Sequence, residues 1–145
     1  MITIGIDPGA KGAIAILRLF TLETVDIPLP HDLADLLEIL RDNTEEESCN
    51  AIVERAQSMP GQGVRSVATY MEGYGTILGI FTALRIPYET VHPSVWKRQM
   101  GLTSDKNATR EAARRIWPAT PFPRADHAEA ALLALWWQRH KAGAK

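Results

Sequence analysis

Apolar and polar residues alternate over Ile2-Thr3-Ile4-Gly5-Ile6-Asp7. The three isoleucines fall on one side, the period-2 signature of a strand. Pro8 to Gly12 is turn chemistry, Ala13 to Leu19 reads as a second strand and Leu22 to Ile27 as a third. Connections this short favour antiparallel hairpins. The period then changes. Leu33, Leu36, Leu37 and Leu40 recur at i, i+3, i+4 and i+7, which predicts a helix from Asp32 to Arg41. Ala51-Ile52-Val53 reads as a short buried strand ending at Glu54. A Gln/Gly/Ser/Pro loop from Arg55 to Arg65 leads into a long helix, Ser66 to Leu84. Pro87 to Val91 is another strand. Pro93 to Met100 is a short helix opened by proline and stopped by Gly101. Asn107 to Ile116 and Asp126 to His140 are the last helices, with Trp117-Pro118 breaking the chain between them. This order implies a mixed five-stranded sheet flanked by helices, an α/β architecture.

A chain of 145 residues suits a single domain, 1–145, with one core. Its 46% hydrophobic and 23% charged residues exclude a disordered tail, a collagen-like fibre and a coiled coil. Apolar runs such as Ala130 to Trp137 are far shorter than the ~20 residues of a membrane helix. The opening MITIGIDPG lacks the basic segment of a secretory signal. One cysteine, Cys49, excludes an internal disulfide framework and reads as a small buried hydrophobe. A cytoplasmic protein without membrane contact is the expectation.

The net charge of −1 conceals an asymmetry. Residues 1–54 carry three basic and eleven acidic side chains, and residues 55–145 carry thirteen and six. A nearly neutral protein of this kind can present one basic face to a polyanion, or simply a solvated surface. On the helix from Lys106, the residues Lys106, Arg110 and Arg114 form one stripe beside a core stripe of Thr109, Ala112, Ala113 and Ile116. Such a basic stripe suits a phosphate track. Arg55 and Arg65 flank the loop after Glu54, whose tip, Met59-Pro60, either packs or wedges between bases.

Four carboxylates stand out. Asp7 and Glu54 each end an apolar strand. Asp126 and Glu129, three apart, share the helix face that continues as Ala130, Leu132, Leu133, Trp136 and Trp137, so both are expected to point toward the sheet. Clustered anions away from water need a cation, and a hard divalent ion with oxygen ligands meets that need. Each acid has an ordinary reading too. Asp7-Pro8-Gly9 suits a turn, Glu54 a solvated strand end, and Asp126 with Glu129 a capping box.

Together, Gly5-Ile6-Asp7-Pro8-Gly9, Val53-Glu54, the segment His92 to Gly101, Asp105-Lys106 and Asp126-x-x-Glu129 resemble the bacterial and phage RuvC-type Holliday junction resolvases. The resemblance runs through nearly the whole chain in order and spacing. It implies an RNase H-like fold, a homodimer, and Mg²⁺-dependent symmetric nicking of four-way DNA junctions, with Mn²⁺ able to substitute. By position, Asp7, Glu54, Asp126 and Glu129 match the metal-binding acids, and Lys97 and Lys106 match functionally important lysines. Two features depart from the pattern: the family often has Asp where Glu129 stands, and the loop after Glu54 has no aromatic residue.

On that resemblance, two metal ions about 3.5–4 Å apart would bind the attacking and leaving oxygens of a phosphodiester. Asp7 would bridge them, Glu54 and Glu129 completing one shell and Asp126 the other. Lys106 would stabilise developing charge. Arg55, Arg65, Lys97, Arg98, Lys106, Arg110 and Arg114 are the expected DNA contacts. His127 lies about 100° round the helix from Asp126 and is expected to stay off the metal. Gly75, Gly79 and Ala83 recur every four residues, a smooth stripe for a partner helix or for the chain's own sheet. A two-fold dimer would supply the paired sites that symmetric cleavage needs. Three other readings compete. A sugar-kinase-like ATPase would need a second domain, for which the chain has no room. An RNase H-like nuclease on other branched DNA or on RNA–DNA hybrids shares the same acids. A non-catalytic branched-DNA-binding protein would have lost them.

Overall fold

The computed structural model describes residues 1–9, 11–19, 21–26, 33–44 and 48–142. All ten predicted elements occur in the predicted order: β1 (Ile2–Asp7), β2 (Ala13–Leu17), β3 (Leu22–Asp26), α1 (Leu33–Thr44), β4 (Cys49–Glu54), α2 (Val64–Ala83), β5 (Tyr88–Val91), α3 (Pro93–Gln99), α4 (Lys106–Ile116) and α5 (Ala125–Ala142). The expected ends at Ile27 and Asp32, and His31, lie outside the described residues. The strand β2 stops at Leu17 rather than Leu19, because the Arg18 N–H turns to the Thr21 carbonyl and closes the hairpin.

The sheet order is β3-β2-β1-β4-β5. The first three strands pair antiparallel, while β4 pairs parallel to both β1 and β5. Strand alternation sorts the core into two layers. Ile2, Ile4, Ile6, Ile14, Ile16, Ala51 and Val53 face α1 and α2, meeting Leu36, Leu40, Ile77, Ile80 and Phe81. The opposite face carries Ala13, Ala15 and Ile52 against α3, α4 and α5. Large side chains thus fill one face, and small ones let a helix lie close on the other.

That helix is α5. Its first half is buried almost all round, with Ala128, Ala130, Ala131, Leu132, Leu133 and Ala134 each at most 1% exposed. Gly5 makes the approach possible: a Cβ there would collide with the Ala130 carbonyl oxygen and press on Ala134. Further down β1, Thr3 Oγ1 accepts from Gln138 Nε2 at 3.0 Å. Two residues along a strand advance about 6.6 Å, close to the ~5.4 Å of one helical turn. Stepping from Thr3 through Gly5 to Asp7 therefore walks back along α5 from Gln138, past Ala134 and Ala130, to Asp126 and Glu129.

The α2 helix is buried only toward its C-terminal end, at Ile77, Ile80 and Phe81. Gly75, Gly79 and Ala83 face outward, and a Cβ built on either glycine meets no atom within 4 Å. The small-residue stripe therefore does not serve the chain's own sheet. Two further expectations need correction. Ile116 is 41% exposed and leaves the α4 core stripe, because the helix ends there at Trp117. Cys49 is half-buried rather than a core residue. Replacing Gly5 with Ala should destabilise the fold by about 3 kcal/mol, at the high end for overpacking because the clash is with backbone. Urea denaturation reads this as a lowered midpoint at unchanged slope.

Candidate active site

The strands β1 and β4 run parallel, with Ile6 opposite Val53. One residue further, Asp7 and Glu54 end neighbouring strands on the face covered by α5. Asp7 is 5% exposed, and its Oδ1 accepts the Gly9 N–H at 3.0 Å. The Asp-Pro-Gly turn and the site residue are thus one device: the turn pins one carboxylate oxygen.

The α5 helix begins at Ala125, which places Asp126 inside the first turn rather than at the cap. The capping-box reading fails for Glu129 as well. Its side chain is 2% exposed and takes Lys97 Nζ on one oxygen and Lys106 Nζ on the other, both at 2.7 Å. One carboxylate oxygen from each of Asp7, Asp126 and Glu129 lies within 4.8 Å of the other two. Glu54 stands beside this group but outside it. Its Oε2 accepts the Trp96 indole N–H at 2.8 Å.

The electrostatics follow from crowding away from water. Burial pushes the Asp7 carboxyl well above its ordinary value; a hydrogen bond to Glu129 and the charges of Glu129 and Glu54 add to this, and the Gly9 N–H opposes it. Burial pushes Glu129 up as well, but hydrogen bonds from Asp7, Lys106 and Lys97 outweigh it and hold Glu129 below its ordinary range. Of the pair, Asp7 is therefore the carboxyl that holds a proton more tightly. Burial raises Glu54 against the pull of Lys97 and the Trp96 hydrogen bond. Burial lowers Lys106, yet its bond to Glu129 and the surrounding acids leave it raised and charged. Three converging carboxylates of which two are almost wholly buried, one of them pushed up by that burial, form the oxygen donor set that a hard divalent cation takes.

The basic residues divide. Lys97 is only 16% exposed and turned inward to Glu129, whereas Lys106 makes the same bond at 57% exposure. Arg110 gives Nε and Nη2 to the Phe122 carbonyl at 3.2 and 2.8 Å, and Arg114 pairs with Glu111 at 2.6 Å. Both line an open cavity of about 460 Å³ walled by Pro118, Pro121 and Pro123. Arg55 is exposed and reaches Thr90 Oγ1 at 3.2 Å. Arg65 and Arg98 are exposed, with no ion pair among the described residues. Met59 is 61% exposed at a turn closed by mutual bonds with Gln62, so it does not pack.

Sequence reasoning missed three residues. Arg124 donates to the Lys11 and Gly12 carbonyls at 3.2 and 3.0 Å and pairs with Asp26 at 2.7 Å and Asp126 at 3.4 Å. A cation just before a helix start opposes the helix dipole, and that mismatch was the available signal. Trp96 is fully buried core, as a packing residue, but its N–H reaches the site. Tyr70 on α2 has its phenol pushed up to about 12 by burial and by Asp7 and Glu54, which places it within electrostatic reach of both acids. His127 is 3% exposed and bonds through Nε2 to Asp26 at 3.0 Å, away from the acid group. Burial and the Arg124 charge lower its affinity for a proton.

No protein-family model matches this chain, and no curated protein does. Solved structures do. RuvC from T. thermophilus in complex with a Holliday junction substrate aligns over 97% of this chain and 96% of its own, with a TM-score of 0.65 at 21% identity. A second Thermus thermophilus RuvC structure aligns over 97% of each chain, with a TM-score of 0.63 at 20% identity. The chain therefore has the RNase H-like α/β fold of RuvC along nearly its whole length.

Proposed function

We propose that this chain is a RuvC-type Holliday junction resolvase: a Mg²⁺-dependent endonuclease, one nuclease domain over residues 1–145, that cuts four-way DNA junctions by paired nicks as a homodimer. A shared fold does not by itself carry an activity. The observation that carries this one is the site. Asp7, Asp126 and Glu129 converge within 4.8 Å, with Glu54 on the adjacent strand, on the fold of a protein solved with a Holliday junction substrate.

Asp7, Asp126 and Glu129 would hold a divalent cation, and Glu54 would complete the set for a second. Bound there, such ions supply Lewis acidity and neutralise charge at the scissile phosphate. The remaining work belongs to the chain. The Gly9 N–H holds one oxygen of Asp7 and leaves the other to the site. Lys97 and Lys106 hold both oxygens of Glu129, so its carboxylate cannot rotate freely. Lys106, the more exposed of the two, keeps its charge and meets an incoming phosphate. Tyr70 stays protonated at any working pH and so offers an O–H and no base. On α4, Arg110 is held by the Phe122 carbonyl and Arg114 by Glu111, which leaves Lys106 as the member of that row that would meet a DNA strand. Arg55, Arg65 and Arg98 extend that surface. Contacts of this kind set position on the backbone and do not read bases, which suits recognition of a branch by shape. The outward stripe of Gly75, Gly79 and Ala83 is the surface proposed for the dimer.

Three measurements test this reading. With Mg²⁺, a mobile four-way junction should receive paired symmetric nicks, while linear duplex, a flap and an RNA–DNA hybrid stay intact. Asp7→Asn should abolish the nicks and retain junction binding. Cleavage of the hybrid or flap alone would keep a nuclease but discard the junction as substrate. Junction binding with no cleavage would leave a structural DNA-binding protein.

Thermal melting tests the charge argument. A carboxyl raised by its surroundings stabilises the fold while protonated, and that contribution is lost as the pH rises through its elevated value. Asp7→Asn should therefore melt several degrees higher than wild type at neutral pH without metal. The gain should fade as the pH drops, and Mg²⁺ should stabilise wild type alone.

Gly79→Arg tests the dimer. Open space beside Gly79 leaves room for the new side chain in a monomer. Light scattering should show a folded monomer in place of a dimer; an unchanged dimer would exclude the α2 stripe as its interface.

A further inference from the structure

The α3 helix has only seven residues, yet it grips two other elements at three points. It is set by the His92 cap, whose ring nitrogen accepts the Ser94 N–H, and by Pro93 in its first turn. It stops at Gly101, which has φ +68°, a conformation that favours glycine. Trp96 donates to Glu54 on β4 at 2.8 Å. Lys97 donates to Glu129 on α5 at 2.7 Å. Gln99 accepts from Trp136 near the far end of α5 at 2.7 Å. Trp96 and Lys97 also touch each other, with the ammonium 5.4 Å from the indole centroid. An unbroken path of contacts thus joins two carboxylates from different elements: Glu54, Trp96, Lys97, Glu129.

We propose that Trp96 is a positioning residue for metal binding, its indole N–H fixing the Glu54 carboxylate beside Asp7 and Glu129. The inference rests on the metal-site reading above and deepens it. Glu54 ends a strand and has three side-chain torsions to set. Left alone, a half-buried glutamate beside two other acids would swing toward water. Trp96 opposes that swing in two ways. Its ring is wholly buried, so it has one position. Its N–H, removed from water, needs an acceptor, and Glu54 Oε2 is the one it has. The bond occupies one carboxylate oxygen and leaves Oε1 for a ligand. Partners of this outer kind typically set metal affinity by 10–100-fold. A tryptophan serving only as core would need an acceptor too, but any carbonyl would do; here the acceptor is a site carboxylate.

Trp96→Phe keeps most of the ring volume and removes the donor. Titration of the full-length protein with Mn²⁺ should show affinity weakened about 10–100-fold, with a melting temperature within a few degrees of wild type. Because Trp96 acts through Glu54, adding Trp96→Phe to Glu54→Gln should weaken binding no further. Wild-type affinity in Trp96→Phe would overturn the proposal, and so would a full additional loss in the double variant. Failure of wild type to bind Mn²⁺ would overturn the metal-site reading itself, a distinct result. A second measurement avoids Trp96 replacement. The protein has four tryptophans, so a sample uniformly labelled at nitrogen gives four indole N–H signals. The signal displaced by Glu54→Gln should also shift in wild type as Mg²⁺ is added. If that signal ignores Mg²⁺, Trp96 does not act on the metal site.

Discussion

The closeness of α5 to β1 is the constraint on which the site depends. It is permitted at Gly5, where the helix backbone at Ala130 occupies the space a Cβ would need. Strand and helix then run past each other with nearly matched repeats, two strand residues to one helical turn. Contact at Gly5 commits Asp7 to face Asp126 and Glu129. The surrounding small residues, Ala13 and Ala15 on β2 and the alanines of α5, extend the same fit. On the other face the isoleucines of β1 and β2 hold α1 and α2 at ordinary core distance. The sheet is therefore asymmetric for a reason: bulk on one side gives stability, and close approach on the other brings acids from separate elements together.

Bringing them together has an electrostatic cost, and its distribution is visible. Several charges of one sign with little water would repel. The chain offsets this by strengthening the hold of Asp7 on a proton and by setting two ammonium groups on Glu129. Arg124 does the same at the rim, tying Asp126 and Asp26 to the turn after β1. These lysines and this arginine are as much part of the fold as of any chemistry, since without them the helix start and the strand ends would push apart. The basic character of the C-terminal half of the chain is thus spent partly inside the molecule. Lys97 and Arg110 turn to internal acceptors, and the charge left for a polyanion lies on Lys106, Arg55, Arg65 and Arg98.

How much of this the sequence discloses depends on range. Period-2 alternation put Asp7 on the side of β1 away from its isoleucines, and Glu54 was legible as the end of a short buried strand. Helical spacing put Asp126 and Glu129 on one face. Neither rule distinguishes a capping box from a convergent site, since both ask for carboxylates three apart at a helix start. The difference is whether the first helical residue is Ala125 or His127, two residues, within the usual uncertainty of helix ends. Trp96 was not legible as a neighbour of Glu54, for the two lie 42 positions apart. Arg110 looked like part of a free stripe, because nothing local says that the Phe122 carbonyl returns to it.

The outward stripe on α2 shows the opposite case, where periodicity was sound and the environment was missing. Gly75, Gly79 and Ala83 share a face at any helix packing. Whether that face meets the sheet depends on where the large residues sit, and Ile77, Ile80 and Phe81 take the inner side. Once they do, the small residues must face out. Glycine in an exposed helix costs about 1 kcal/mol relative to alanine, and two such positions bring no contact within this chain. A helix with two outward glycines, beside Met71 at 42% exposure, leaves open room for close approach along that face. On the function proposed above, a second copy would fill that space and would relate two acid clusters by an axis, the arrangement that two symmetric cuts in a four-way junction would require.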